Sequence, residues 1–215
     1  MCHRGQVAMK VLIVSGGIGS GKSTVCRMLE NDYGIPVYEA DKRVKELYIE
    51  CPLLLQDIES LLGGSFRNES GDFHPSLLAA RIFSDSDALQ RVESVVFPVL
   101  MDDFARWKEI HADKEYVALE SATILEKPAL SGIGDLTIVV DAPLEVRVDR
   151  AAARNGRSRE SVLERARSQK LMNSISDGHV PASVDYVLKN EGDMCELSEN
   201  LRKCMGLYGI TKVLL

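Results

Sequence analysis

The stretch GGIGSGKST, residues 16–24, lies directly behind the apolar run KVLIV, residues 10–14, and constrains the fold more than any other feature of the chain. Gly16, four residues, Gly21, Lys22 and Ser23 match G-x-x-x-x-G-K-[ST], and the confirming context is present: a strand before the loop and a helical pattern after it. The chemistry of an anion requires these residue types. Glycines let backbone N–H groups turn inward around phosphate oxygens, and a helix starting near Lys22 aims its positive dipole end at the same charge. Gly17, Ile18, Gly19, Ser20, Gly21, Lys22, Ser23 and Thr24 are therefore candidate nucleotide-binding residues. Lys22 is expected to bridge the β- and γ-phosphates of ATP and Ser23 to ligate Mg²⁺. A glycine-rich turn with a chance Lys-Ser after it would leave the flanking strand and helix unexplained.

Around the loop, short runs rich in Val, Ile, Leu and Tyr alternate with helical patterns. Strands are expected at 10–14, 35–40, 116–121, 136–141 and 184–190, with the composition of strands buried on both faces. Helices are expected at 22–32, ending near Gly34, and at 86–110, 144–154, 159–172 and 193–206. Such alternation implies right-handed crossovers and an α/β fold, a parallel sheet flanked by helices of the P-loop NTP hydrolase type. Residues 41–115 carry no convincing strand but contain apolar helical patterns such as LLLQDIESLL. That gap is too long for a plain crossover. It reads as a helical insertion at 42–110 in a core formed by 9–41 and 111–215.

Composition narrows the function classes. A chain of 215 residues, 45% hydrophobic, can bury one sizeable core. No run reaches the roughly 18 apolar residues of a membrane span, and MCHRGQVAMK lacks the apolar centre of a secretory signal. A soluble, cytoplasmic protein with no membrane partner is expected. The net charge of -6 argues against nucleic acid as a main partner, because a duplex binder needs a basic face. Five cysteines, Cys2, Cys26, Cys51, Cys195 and Cys204, are scattered without a C-x-x-C pair and read as reduced packing residues.

No N-K-x-D follows a later strand, so a guanine-reading GTPase is disfavoured. The fourth strand leads instead into DAPLEVRVDRAAARNGRSRES, which sets Arg147, Arg150, Arg154, Arg157 and Arg159 within two helical turns and a loop. Beside a phosphate-binding loop this run reads as a lid over about 145–170 that closes on triphosphate; an isolated helix with the same run would simply be a solvated charged face. Phosphoryl transfer also needs carboxylates. Asp41 follows the second strand, where ligand sites of parallel sheets form, and Glu39 shares its face if the strand continues. Asp41 also suits the N-cap of the following helix. Glu120, ending the third strand, is placed to hold a metal's water shell.

GGIGSGKSTV, GIPVYEAD, LLAARIF, VVFPVL, ILE, VVDAP with its arginine run, RARSQ and YVLKNEG, in this order, resemble dephospho-CoA kinase from about Val11 to Gly192. The resemblance implies transfer of the γ-phosphate of ATP to the 3′-hydroxyl of dephospho-CoA, with Mg²⁺. It places the acceptor base on Asp41, lid arginines on Arg150 or Arg154, adenine contacts near Asn190, and acceptor binding in the helical insertion. It also places the family's usual start at Met9, with residues 1–8 as an extension.

The departures lie on the acceptor side. The family's D-A-D is Glu39-Ala40-Asp41 here, its acid and then Pro before the leucines is Glu120-Ser121-Ala122, its His-Pro is Phe97-Pro98, and an expected arginine is Pro75. Neither Pro75 nor Phe97 can donate to phosphate as arginine and histidine do. Two other readings stay open: a kinase of another small hydroxyl compound, and a nucleotide-binding relative without catalysis. A monomer or weak homo-oligomer is expected.

Overall fold

In the computed structural model, which describes residues 8–83, 85–156 and 158–213, β1 (Lys10–Gly16) is the middle strand of five. The sheet order is β2-β3-β1-β4-β5, with β2 at Val37–Glu39, β3 at Tyr116–Glu120, β4 at Leu136–Asp141 and β5 at Tyr186–Lys189. β1 runs parallel to β3 and to β4, and β4 parallel to β5. Five strands were expected and five form among the described residues, with β2 and β5 shorter than their apolar runs.

Strands this apolar hide their period of two, because both faces are covered. One face brings Leu12 and Val14 of β1, Ile138 and Val140 of β4 and Leu188 of β5 against Val25, Cys26 and Leu29 of α1 (Lys22–Tyr33). The same cluster takes Leu197, Leu201, Cys204 and Met205 from α9 (Met194–Leu207). The other face packs Val139 with Val184 and with Met172 and Ile175 of α8 (Lys170–Ser176). Between β4 and α8 come α6 (Leu144–Asn155) and α7 (Arg159–Ser168), joined through Val148, Ala151, Val162 and Ala166. The single helix expected at 159–172 is therefore two, broken at Gln169.

Four cysteines are described and all are free. Cys26 and Cys204 are buried, and burial pushes the Cys204 thiol up to about 12. Cys51 is half-buried, and Cys195 is exposed, which corrects the packing role expected of that residue; Cys2 lies outside the described residues. No helix among the described residues is long and apolar enough to cross a membrane.

The described chain divides into two compact units, one from residues up to 38 together with those from 111 onward, the other from residues 39–110. The second unit is helical: α2 (Ala40–Glu50), α3 (Pro52–Leu62), α4 (Pro75–Phe83) and α5 (Ser86–Ile110). Ala88, Val92, Val96, Leu100 and Phe104 recur every fourth residue and are the buried stripe of α5. Pro98 lies inside that helix on its exposed side, where it offers no N–H to the carbonyl of Ser94, itself an exposed residue. Arg43 ties α2 to α5 by a two-pronged bond to Asp103, at 2.8 and 2.9 Å.

The chain enters α2 at Ala40, so Glu39 occupies the N-cap position and Asp41 stands inside the first turn. Asp41 is thus not the cap, and the strand alternation that would set Glu39 and Asp41 on one face ends between them. The helix dipole accounts for the placement, since an acid in the first turn faces its positive end.

Leu29 is fully buried between α1 and the sheet. Leu29→Ala is expected to lower unfolding stability by about 2–5 kcal/mol in urea titrations, with an unchanged sheet signature by circular dichroism.

Candidate active site

The loop from Gly16 to Gly21 leaves β1 through backbone geometry that side chains rarely adopt. Gly16 has φ 150°, Gly19 74° and Gly21 103°. Gly21 is also the N-cap of α1, and no side chain caps that helix's first turn. Within the loop Ser20 N donates to Gly17 O, and Thr24 N and Val25 N both donate to Gly21 O. An uncapped helix start behind a glycine loop is an anion site by construction.

Space explains the glycines as firmly as dihedral freedom does. A Cβ at Gly16 would lie 2.3 Å from Val140 O, one at Gly17 2.0 Å from Arg147 Nη1, one at Gly19 1.9 Å from Arg147 O, and one at Gly21 2.2 Å from Asn190 Nδ2. The loop is walled by β4, by α6 and by the segment after β5.

Lys22 turns back over the loop. Its Nζ donates to Gly16 O at 3.0 Å and Gly17 O at 3.4 Å, and lies 3.7 Å from Glu120 Oε1. Both side chains are 12% exposed. Glu120 reaches this position because β3 pairs with β1 in a register that sets it beside Val14, two residues before the loop. An ammonium with three donors can exchange these weak acceptors for phosphate oxygens.

Other groups surround the loop from outside. Asn190, 6% exposed, donates from Nδ2 to Ser20 O at 2.7 Å, and its own N donates to Asp141 O. Arg150 Nη1 donates to Asn190 O at 3.1 Å. Asp141, buried at the end of β4, accepts from Ser176 Oγ at 2.6 Å and Lys189 Nζ at 2.7 Å.

The expected arginine lid divides into different roles. Arg147 is 1% exposed, and burial lowers its pKa from the usual guanidinium value. Arg159 bonds Asp149 at 2.9 Å and also Glu145. Neither is a loose cation awaiting an anion. Arg154 stands on the exposed side of α6, and Arg157 lies outside the described residues.

Lys22, Glu120, Arg150 and Asn190 therefore gather around Gly17–Gly21 within one unit. Asp41 stands exposed in the first turn of α2, in the helical unit. Of the altered acceptor-side positions, Pro75 is exposed at the start of α4, while Phe97 in α5 and Ala122 after β3 are half-buried. Sequence reasoning missed Gln169, Asn173 and the buried role of Arg147; the only signal was Gln169 ending the motif RARSQ. A cavity of about 650 Å³ lined by Ile13, Lys127, Thr137 and Asp185, among others, lies near the amino-terminal ends of β4 and β5, and no loop residue lines it.

A family model described as dephospho-CoA kinase matches residues 10–196. The chain is 37% identical over 177 residues to a dephospho-CoA kinase of Porphyromonas gingivalis, covering 82% of this chain and 84% of that one. It is similar to the crystal structure of TT1252 from Thermus thermophilus, with TM-score 0.78, 29% identity, and 94% and 98% of the two chains covered. The fold is also that of a dephospho-CoA kinase from Campylobacter jejuni, with TM-score 0.63 at 20% identity over 92% of this chain and 96% of that one.

Gly19→Ala would force both a positive φ and a collision with Arg147 O. ATP binding by calorimetry is expected to be lost in this variant, while Gly132→Ala, at an open turn where φ is also positive but nothing stands within 4 Å, should bind as the wild type does.

Proposed function

The chain belongs to the dephospho-CoA kinase family, and from that membership we propose that it transfers the γ-phosphate of ATP to the 3′-hydroxyl of dephospho-CoA, giving coenzyme A. The observation that carries this reading is the end of β1, where an uncapped helix start, a glycine loop and the returning Lys22 converge. In-line phosphoryl transfer asks for positioning and charge more than for covalent chemistry.

ATP is the donor, with its β- and γ-phosphates on the loop. Lys22 leaves the Gly16 carbonyl for phosphate oxygens and offsets charge that spreads over them during transfer. The donor set suits Mg²⁺: Ser23 offers an exposed hydroxyl in the first turn of α1 and Glu120 a carboxylate, both hard oxygen ligands. No group of three His, Cys, Asp or Glu residues among those described forms a metal cage, as suits an ion carried largely by water and substrate phosphate. Bound there, Mg²⁺ would neutralise phosphate charge, with Ser23 as direct ligand and Glu120 holding a water of its shell.

Asp41 takes the role of base, accepting the proton of the attacking hydroxyl. The helical insertion at 42–110 is the acceptor-binding part, and residues about 145–170 are the lid. Arg150, which donates to Asn190 O, and Arg154, on the exposed side of α6, are the lid arginines that would meet a phosphate. Asn190 has its Nδ2 engaged with Ser20 O, so the contact with adenine falls to its Oδ1.

ADP release measured with ATP and dephospho-CoA, against ATP alone and a panel of other hydroxyl compounds, tests the acceptor. Release that depends on dephospho-CoA is expected; turnover of another compound with none of dephospho-CoA would overturn the reading. Asp41→Asn is expected to lower kcat by ~10²-fold or more with little change in KM for ATP. A larger loss in Glu39→Gln would move the base to Glu39.

A further inference from the structure

Two side chains with no part in the transfer chemistry hold the phosphate loop from behind. Gln169 stands at the break between α7 and α8, and its Oε1 accepts from Ile18 N at 2.8 Å across 151 residues of sequence. Arg147 crosses under the same turn. Its Nη2 donates to Asn173 Oδ1 at 2.9 Å, while Asn173 Nδ2 donates to the carbonyls of Ala166 and Arg167, both at 3.1 Å. Asn173 thereby binds the last turn of α7 and fixes the guanidinium at once. A Cβ placed on Gly17 would meet Arg147 Nη1 at 2.0 Å and Gln169 Oε1 at 3.3 Å, so both groups rest directly on that glycine.

We propose that Gln169 is a positioning residue for ATP: its bond to Ile18 N, backed by the bond of buried Arg147 to half-buried Asn173, sets the conformation of residues 17–19 before nucleotide arrives. The inference rests on ATP being the ligand of this loop and is independent of which acceptor follows.

The physical need is specific. Gly16, Gly17, Gly19 and Gly21 give this short stretch unusual conformational freedom, and ordering each residue costs backbone entropy. A loop ordered in advance does not draw that cost from the binding of phosphate. The bond also removes Ile18 N–H from competition. With that donor held by Gln169, the N–H groups left for phosphate are those at the start of α1 and the turn before it. The break at Gln169 follows from the same demand. An unbroken helix over 159–176 would carry the position with helical dihedrals, whereas Gln169 has φ −79° and ψ 70° and its N donates to Ala166 O.

Gln169→Met tests it, because methionine keeps the length and bulk of the side chain and lacks the acceptor. ATP binding should weaken about tenfold by calorimetry in Gln169→Met and equally in Gln169→Ala, as expected when a partly buried N–H loses its partner. KM for ATP should rise in parallel, with KM for dephospho-CoA changed less than about twofold, a split that general loss of structure would not produce. Wild-type ATP affinity in Gln169→Met would overturn the proposal, since packing alone would then suffice. Amide exchange in the ATP-free wild-type protein gives a measurement that needs no variant. Protection of the Ile18 amide before nucleotide is added supports the brace, and exchange at the rate of an open chain overturns it. The calorimetric titration contains no acceptor, so an error about dephospho-CoA would appear in the turnover assay alone.

Discussion

The nucleotide-binding unit depends on one steric constraint: residues 16–21 pass through a slot that has no room for a Cβ at four of six positions. Val140 O, the Arg147 backbone and guanidinium, and Asn190 Nδ2 form its walls, each closer than any real Cβ could approach. Glycine at these positions therefore serves two demands that coincide, inward-facing N–H groups for phosphate and intimate packing against β4 and α6. The sheet topology supplies the walls. β1 lies between β3 and β4, so its exit is flanked by Glu120 on one side and by the start of α6 on the other.

Charge is distributed around this slot in tiers rather than as a uniform basic lid. Lys22 is held by two carbonyls and a carboxylate, weak partners for an ammonium that phosphate oxygens can displace. Arg147 is a buried cation under the loop, and the nearby Asp141 charge only partly offsets what burial does to its pKa. Arg159 is committed to Asp149 and Glu145 on the outside of the same helix. A run of arginines in sequence thus separates in space: Arg147 is buried under the loop, Arg150 bonds Asn190 O beside it, and Arg159 pairs with acids on the helix surface.

The helical unit follows a different physical logic. Its charged residues stitch helices together: Arg43 joins Asp103, Glu46 and Glu50, and the bonds to these acids, that to Asp103 foremost, raise its pKa above the usual guanidinium value. Glu59 accepts from Ser65, Phe66 N and Arg67, closing the turn after α3. Pro75 and Phe97, where the family pattern would put donors, stand at a helix start and in a half-buried helical position. Any phosphate recognition by this unit must come from other residues than those two.

The sequence by itself determined the α/β class, the strand count and the donor loop, because those rest on local signals: apolar runs, glycine spacing, and a lysine and serine at fixed offsets. Glu120 was legible as the end of a strand and Asn190 entered through the family resemblance; the structure sets both beside the loop. The sequence could not separate Arg147 from Arg154, for burial is a property of the helix's neighbours and not of the residue. It could not see that α2 begins at Ala40, which moved Asp41 from a cap into a first turn, or that the helix expected at 159–172 breaks at Gln169. The pairing of Gln169 with Ile18 spans 151 residues and leaves no trace in either local pattern. Only the tertiary structure decided it, because a hydrogen bond between the Gln169 side chain and a loop amide exists only once the sheet has set β1 beside β4, α8 has packed on β4 and α6 and α7 have packed on each other.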